Sequence, residues 1–248
     1  MEIIGGLIAG GFIGAVLGFI GAGGAMLSVP ILLYIFEFTP QAATTAAIAV
    51  VLTAAISGLL PKVKSKEVLF KEAAVIWALG LVTNIGFSII AYRLSDSLIT
   101  TGFSMVLLAA GTAMLIKPVE GSEKKIPIFW LVVMSLVIGS MTGLFGIGGG
   151  FLAVPVLILF FKVPQGKAAG TSLAIIAMNS ITAFFGHYQN WSEVSWKVPI
   201  AMSIAAVIVA RFASIKSGQM NQAILRKAFA LLLYSIAVFT LLQTWVIA

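Results

Sequence analysis

Apolar runs of about 17 to 25 residues follow one another along the whole chain, the length that a bilayer core of about 30 Å asks of a helix. Six runs are simple, at about residues 41–60, 68–92, 97–116, 167–187, 197–216 and 223–247. Two others, 3–36 and 126–161, are too long for one simple crossing at about 1.5 Å per residue. Glycines interrupt both, as GFIGAGGAML at 18–27 and GLFGIGGGFL at 143–152. The longest polar stretch is KPVEGSEKK at 117–125, which leaves nothing for a soluble domain. The pattern predicts an all-α polytopic membrane protein.

A shift of 125 residues lays the second half on the first. Gly14, Gly18, Gly21, Gly23, Gly24 and Pro30 fall on Gly139, Gly143, Gly146, Gly148, Gly149 and Pro155. With small gaps, Pro40-Gln41 meets Pro164-Gln165, Thr44-Thr45 meets Thr171-Ser172, and Glu67-Val68 meets Glu193-Val194. Small residues often recur in membrane helices because they let backbones approach, but six matches at one fixed offset followed by an ordered series mark an internal repeat. The expected organisation is a single transmembrane domain of two repeats, 1–120 and 121–248. Each holds a Gly-tipped broken or hairpin helix plus three spanning helices.

Charge decides how the repeats should be related. If each long segment crosses once, the 15 Lys and Arg divide almost evenly between the two faces. If each turns back at its glycines, only Arg93 and Lys197 are left opposite all the others. The positive-inside rule favours the uneven split. The repeats are therefore expected to have inverted topology, a common transporter plan, with both termini outside a cell membrane. Re-entrant hairpins and pairs of short full spans both fit this count.

Glycine permits backbone angles that other residues resist, and it lets a ligand approach the main chain. A broken membrane helix frees N–H and C=O groups that lipid cannot satisfy, so breaks survive only where protein buries them or a wet cavity meets them. The helix after a break offers unpaired N–H groups and the positive end of its dipole, which suits an anion. The candidate binding residues are Gly21, Gly23 and Gly24 in the first break, and Gly146, Gly148, Gly149 and Gly150 in the second. Close packing is the competing explanation. Pro30 and Pro155 fit either the first turn of the following helix or a kink within it.

The paired stretches GFIGAGGAMLSVPIL and GLFGIGGGFLAVPVL, with Thr-Ser-Leu at 171–173, resemble the sulfite exporter TauE/SafE family of bacterial and archaeal membrane proteins. The resemblance covers essentially the full length. It implies transport of small sulfur-containing anions such as sulfite, sulfoacetate or related organosulfonates. The first half departs from the motif, with Ala25 where the second half has Gly150 and Thr44-Thr45 where it has Thr-Ser. The first tip is accordingly expected to contact substrate less closely than the second.

Polar groups within the spans supply the remaining candidates: Thr44, Thr45, Thr53, Asn84, Thr171, Ser172, Asn179, Ser180 and Arg211. Hydroxyl and amide donors bind oxyanions without fixing a charge in the membrane. The same hydroxyls commonly bond back to their own helix, and Asn84 and Asn179 could equally lock helices together. Arg211 either snorkels to the cytoplasmic face or draws anions inward.

Composition then removes alternatives. The chain is 60 % hydrophobic and 9 % charged, with mean hydropathy +1.13. Its net charge of +7 is explained by basic membrane loops rather than by nucleic acid. With Glu2 in place of a basic n-region and an apolar run that continues past a cleavage site, the N-terminus is expected to be part of the mature protein. There is no cysteine, which excludes disulfides and thiolate metal sites; no metal or cofactor is expected. The single histidine, His187, falls near the outer end of its span, and Glu37, Glu67, Glu72 and Glu193 fall at or close to helix ends. These leave too little for a carboxylate proton relay or an intramembrane enzyme.

The membrane potential is then the default driver, favouring export of an anion by about 2.3 kcal/mol per charge per 100 mV. The alternative is an uptake permease for thiosulfate or a carboxylate, coupled to protons or sodium. The expected partners are the anion and membrane lipid. A homodimer is compatible with so compact a unit, though no residue argues for one.

Overall fold

The computed structural model describes residues 1–91, 93–116, 127–145 and 150–247. Helix α1 (Glu2–Ile20) and helix α2 (Gly24–Pro30) flank the first glycine break, and α2 continues as a π turn, Ile31–Ile35. Helices α3 (Pro40–Lys64), α4 (Phe70–Ala91) and α5 (Asp96–Leu115) follow. The second half holds α6 (Ile128–Phe145), α7 (Gly150–Phe161), α8 (Gln165–Gly186), α9 (Lys197–Ser217) and α10 (Gln222–Leu242). A 3-10 helix, Tyr188–Glu193, links α8 to α9, and a π turn, Gln243–Ile247, extends α10.

Among the described residues eight helices are long and apolar enough to cross a membrane: α1, α3, α4, α5, α6, α8, α9 and α10. The six simple runs are all present within a few residues of their expected ends. The long segment 3–36 divides unequally, into 19 residues before the break and a shorter apolar helix at 24–35. At about 1.5 Å per residue the first arm reaches across a bilayer core and the second does not. Pro30 and Pro155 both lie inside their helices, so neither opens the first turn. Proline has no N–H to donate, and after Pro30 the backbone widens into the π turn.

The chain forms two compact units, each drawing helices from both halves of the sequence. The first comprises Met1–Ala73 and Gly166–Gln219. Its main contact is α1 against α9, made by glycines four residues apart on α1. Gly6, Gly10, Gly14 and Gly18 meet Val198, Met202, Ala206 and Ala210 in turn. A Cβ on Gly14 would lie 2.8 Å from the Cα of Ala206, and one on Gly18 3.0 Å from that of Ala210. Small residues at this spacing let backbones touch where lipid provides no hydrophobic drive for helices to associate. Helix α3 is fastened to α9 by Ser57, which donates to the Val207 carbonyl at 2.7 Å, and by Ser214, which donates to the Gly58 carbonyl at 2.7 Å. Alanine and leucine side chains fill the core between them, among them Ala47, Ala54, Leu17 and Leu173.

The second unit comprises Ala74–Gln165 and Met220–Ala248. Helices α5 and α10 are joined by Ser104 to Thr240 at 2.8 Å and Thr112 to Tyr234 at 2.6 Å. Phe103 of α5 packs on Phe145 of α6 and Phe151 of α7, with ring centroids 5.5 and 6.1 Å apart. Gly139 and Gly143 of α6 press on Gly80 and Asn84 of α4. This is the α1–α9 register over again. A shift of 125 takes Gly14 and Gly18 to Gly139 and Gly143, and a shift of 126 takes Gly80 and Asn84 to Ala206 and Ala210.

The helix ends repeat as well. Glu37 (φ 54°) and Lys162 (φ 54°) each take the left-handed conformation. The next N–H then reaches back six residues, Phe38 to the Leu32 carbonyl and Val163 to the Leu157 carbonyl.

Candidate functional site

The first break is closed by backbone geometry. Gly21 (φ 78°) ends α1, its N–H donating to the Leu17 carbonyl at 2.8 Å, and Gly23 (φ 91°) precedes α2 with no side-chain cap. Left-handed angles of this kind favour glycine. Residues 21–24 are all buried. A Cβ on Gly21 would lie 2.6 Å from the Cα of Ala169, and one on Gly24 2.6 Å from the Leu17 side chain. The break is therefore sheltered by protein, one of the two conditions under which a membrane helix tolerates interruption. Gly146, Gly148 and Gly149 lie outside the described residues, and Gly150 opens α7.

The beginning of α8 is the second feature. Thr171, fully buried, donates to the Lys167 carbonyl at 2.7 Å and accepts from the Leu69 N–H at 3.0 Å. Ser172 is fully buried beside it. The chain between α3 and α4 lies along this end of α8 because glycines make room: Gly170 faces the Glu67 carbonyl, and Gly166 faces the Glu67 carboxylate. Within that turn Lys66 has φ 57°, and the Glu67 N–H donates to the Lys62 carbonyl at 2.9 Å. This is a Schellman-type helix end with lysine at the position glycine usually takes. It brings Lys62 Nζ to 2.8 Å from Glu67 Oε2, with Lys62 only 2 % exposed and Glu67 30 %.

Gly21 meets Ala169, and Thr171 and Ser172 follow two and three residues later on the same helix. Three predicted site residues thus share one neighbourhood. Thr45, also in this unit, donates to the Gln41 carbonyl at 2.8 Å and lies 3.3 Å from His187 Nδ1. Thr44, half-buried, donates to the Pro40 carbonyl at 2.8 Å. Asn179 is half-buried on α8, and Arg211 is exposed on α9. In the second unit the backbone of Asn84 lies against Gly143.

A cavity of about 520 Å³ in the first unit is lined by Glu2, Glu37 and Glu193 with Phe36, Phe38 and Val198 among its apolar walls. Three carboxylates at one cavity repel anions instead of binding them. No group of three His, Asp or Glu that could hold a metal ion occurs among the described residues.

The residues missing from the sequence-based set are Lys62, Glu67, Gly166 and Gly170. Lys62 reads as one more basic residue at a membrane face, and nothing short of tertiary packing reveals its burial. One signal was present: two glycines four residues apart at the start of α8, which leave space for another chain.

Comparison with known proteins covers almost the whole chain. The sequence model described as Sulfite exporter TauE/SafE matches residues 6–240. A probable membrane transporter protein of Xylella fastidiosa (strain Temecula1) is 25 % identical over 247 residues, spanning 96 % of this chain and 94 % of that protein. The probable membrane transporter protein YunE of Bacillus subtilis is 29 % identical, over 79 % of this chain and 80 % of its own. A probable membrane transporter protein of Methanocaldococcus jannaschii is 33 % identical over 44 % of this chain and 43 % of its own. No solved structure matches the chain.

Proposed function

The chain belongs to the sulfite exporter TauE/SafE family, and from that membership we propose that it exports small sulfur-containing anions, sulfite or an organosulfonate such as sulfoacetate, as a secondary transporter or uniporter. It is a multi-pass membrane transporter. The observation that carries the finer reading is the family match over residues 6–240.

Substrate binds at the glycine breaks, Gly21 to Gly24 and Gly146 to Gly150, with Thr171 and Ser172 beside the first. Support comes from the buried, left-handed glycines at 21 and 23 and from the closeness of Gly21 to α8. Burial also means that the ion reaches the first break only when α8 or the break moves, as alternating access requires. The two repeats are inverted in the membrane plane, with both termini outside. The lysine and arginine distribution supports this, as does the matching register of α1 on α9 and of α6 on α4.

The test is sulfite flux into proteoliposomes under a clamped potential, with and without a pH gradient, and with sulfoacetate as competitor. Flux that follows potential alone is expected. Flux that requires the pH gradient would replace uncoupled export with proton coupling, and His187, joined to buried Thr45, is the first residue to substitute. Absence of both sulfite flux and competition would overturn the substrate.

A further inference from the structure

The Lys62–Glu67 pair lies outside the glycine breaks, and its position is costly. A lysine 2 % exposed within a membrane protein has lost its hydration, and buried pairs of this kind are weak stabilisers whose retention calls for another reason. Glu67 also meets the start of α8. The carboxylate of Glu67 rests on Gly166 in the first turn of α8, where a Cβ would sit 2.8 Å from Oε1. The first N–H groups of a 22-residue helix have no partner within the helix and carry its positive end. The Lys62 ammonium and the Gly166 turn of α8 meet at one carboxylate, that of Glu67.

We propose that Lys62 and the first turn of α8 form an oxyanion-exchange site, in which the Glu67 carboxylate holds the place that a transported oxyanion takes. Sulfite and sulfonate groups, like a carboxylate, present anionic acceptor oxygens to charged and N–H donors. Glu67 is able to leave: it is 30 % exposed, and it follows a left-handed turn at the end of α3. The site rests on the oxyanion transport proposed above. It is also one-sided. The repeat places Glu193 opposite Glu67 but Tyr188 opposite Lys62, and Glu193 lines the cavity with Glu2 and Glu37. Exchange is thus confined to the lysine-bearing end.

The experiment measures sulfite binding by thermal shift on the full chain in detergent, at constant ionic strength set by chloride. Glu67→Gln removes the resident carboxylate and leaves Lys62 unpaired. It should melt lower without sulfite and bind sulfite about tenfold tighter than the natural chain. Gly166→Ala keeps both charges but pushes the carboxylate aside, and should tighten binding in the same direction. Lys62→Met should weaken binding at least about tenfold, and combining it with Glu67→Gln should abolish the gain.

If Glu67→Gln, or Gly166→Ala where the first variant does not fold, binds sulfite no tighter than the natural chain, the exchange site is wrong. A natural chain that moves no sulfite, beside variants that bind it tighter, would overturn the transport reading and keep the site. Sulfite flux with unaltered binding in all variants would do the reverse.

Discussion

Gly21 carries two constraints at one residue: a φ of 78° and a neighbour, Ala169, whose Cα lies 2.6 Å from where a Cβ would stand. Either alone costs about 1–3 kcal/mol in a folded protein. Gly21→Ala is therefore expected to lower stability by a few kcal/mol, roughly the sum of the two, read as a fall in melting temperature and a loss of inserted protein. Thr171 is the matching polar case. Its hydroxyl accepts from the Leu69 N–H in a fully buried setting, so Thr171→Val orphans that donor at a cost of about 1–3 kcal/mol. Thr171→Ser keeps the acceptor and should melt close to the natural chain. An equal loss in both would assign Thr171 to packing by its methyl group.

At the scale of the element, α1 and α9 show how a glycine stripe selects a partner. A side chain on Gly10 would strike the backbone of Met202, whereas the nearest atom to a Cβ on Gly11 is a Val209 methyl at 3.8 Å. Gly10→Leu should force the helices apart and sharply reduce folded protein, while Gly11→Leu should be tolerated. Fluorescence size-exclusion profiles of the two variants distinguish these outcomes. Equal tolerance would mean that α9 is not held by backbone contact. Helix ends follow from equally local rules. Lysine at 66 and 162 and glutamate at 37 take the left-handed angle, which is uncommon outside glycine, asparagine and aspartate. Their sequence gives no hint of the turn.

For the whole molecule, the proposed uncoupled export makes charge moved across the bilayer the quantity to test. An uncoupled monovalent anion gains about 2.3 kcal/mol per 100 mV, equivalent to about a 50-fold concentration ratio at equilibrium. Divalent sulfite should show twice that free energy. Proteoliposomes at two clamped potentials are expected to give accumulation that scales with the valence of the anion. Accumulation that ignores potential would indicate electroneutral exchange and remove the physical argument for export.

The helical elements themselves were legible in the linear chain. Bilayer thickness sets how many apolar residues a crossing helix needs, and hydropathy records that number directly. The runs 41–60 and 197–216 became α3 and α9 with little change. The break at Gly21 and Gly23 was also legible, because few residues other than glycine accept those angles. Partnership was not. That α1 lies on α9 and the end of α3 on α8 depends on surfaces from distant parts of the chain, where glycines leave no room for a side chain.

Lys62 shows the difference most plainly. The linear chain gave its charge and its place near a helix end. Only tertiary structure buried it, because Gly166 and Gly170 opened room for the turn that sets Glu67 against it. Sequence determined which segments are helical and where glycine must interrupt them, since both are properties of local chain and solvent. Packing decided which polar groups lost water and which partners replaced it, since desolvation belongs to the assembled fold.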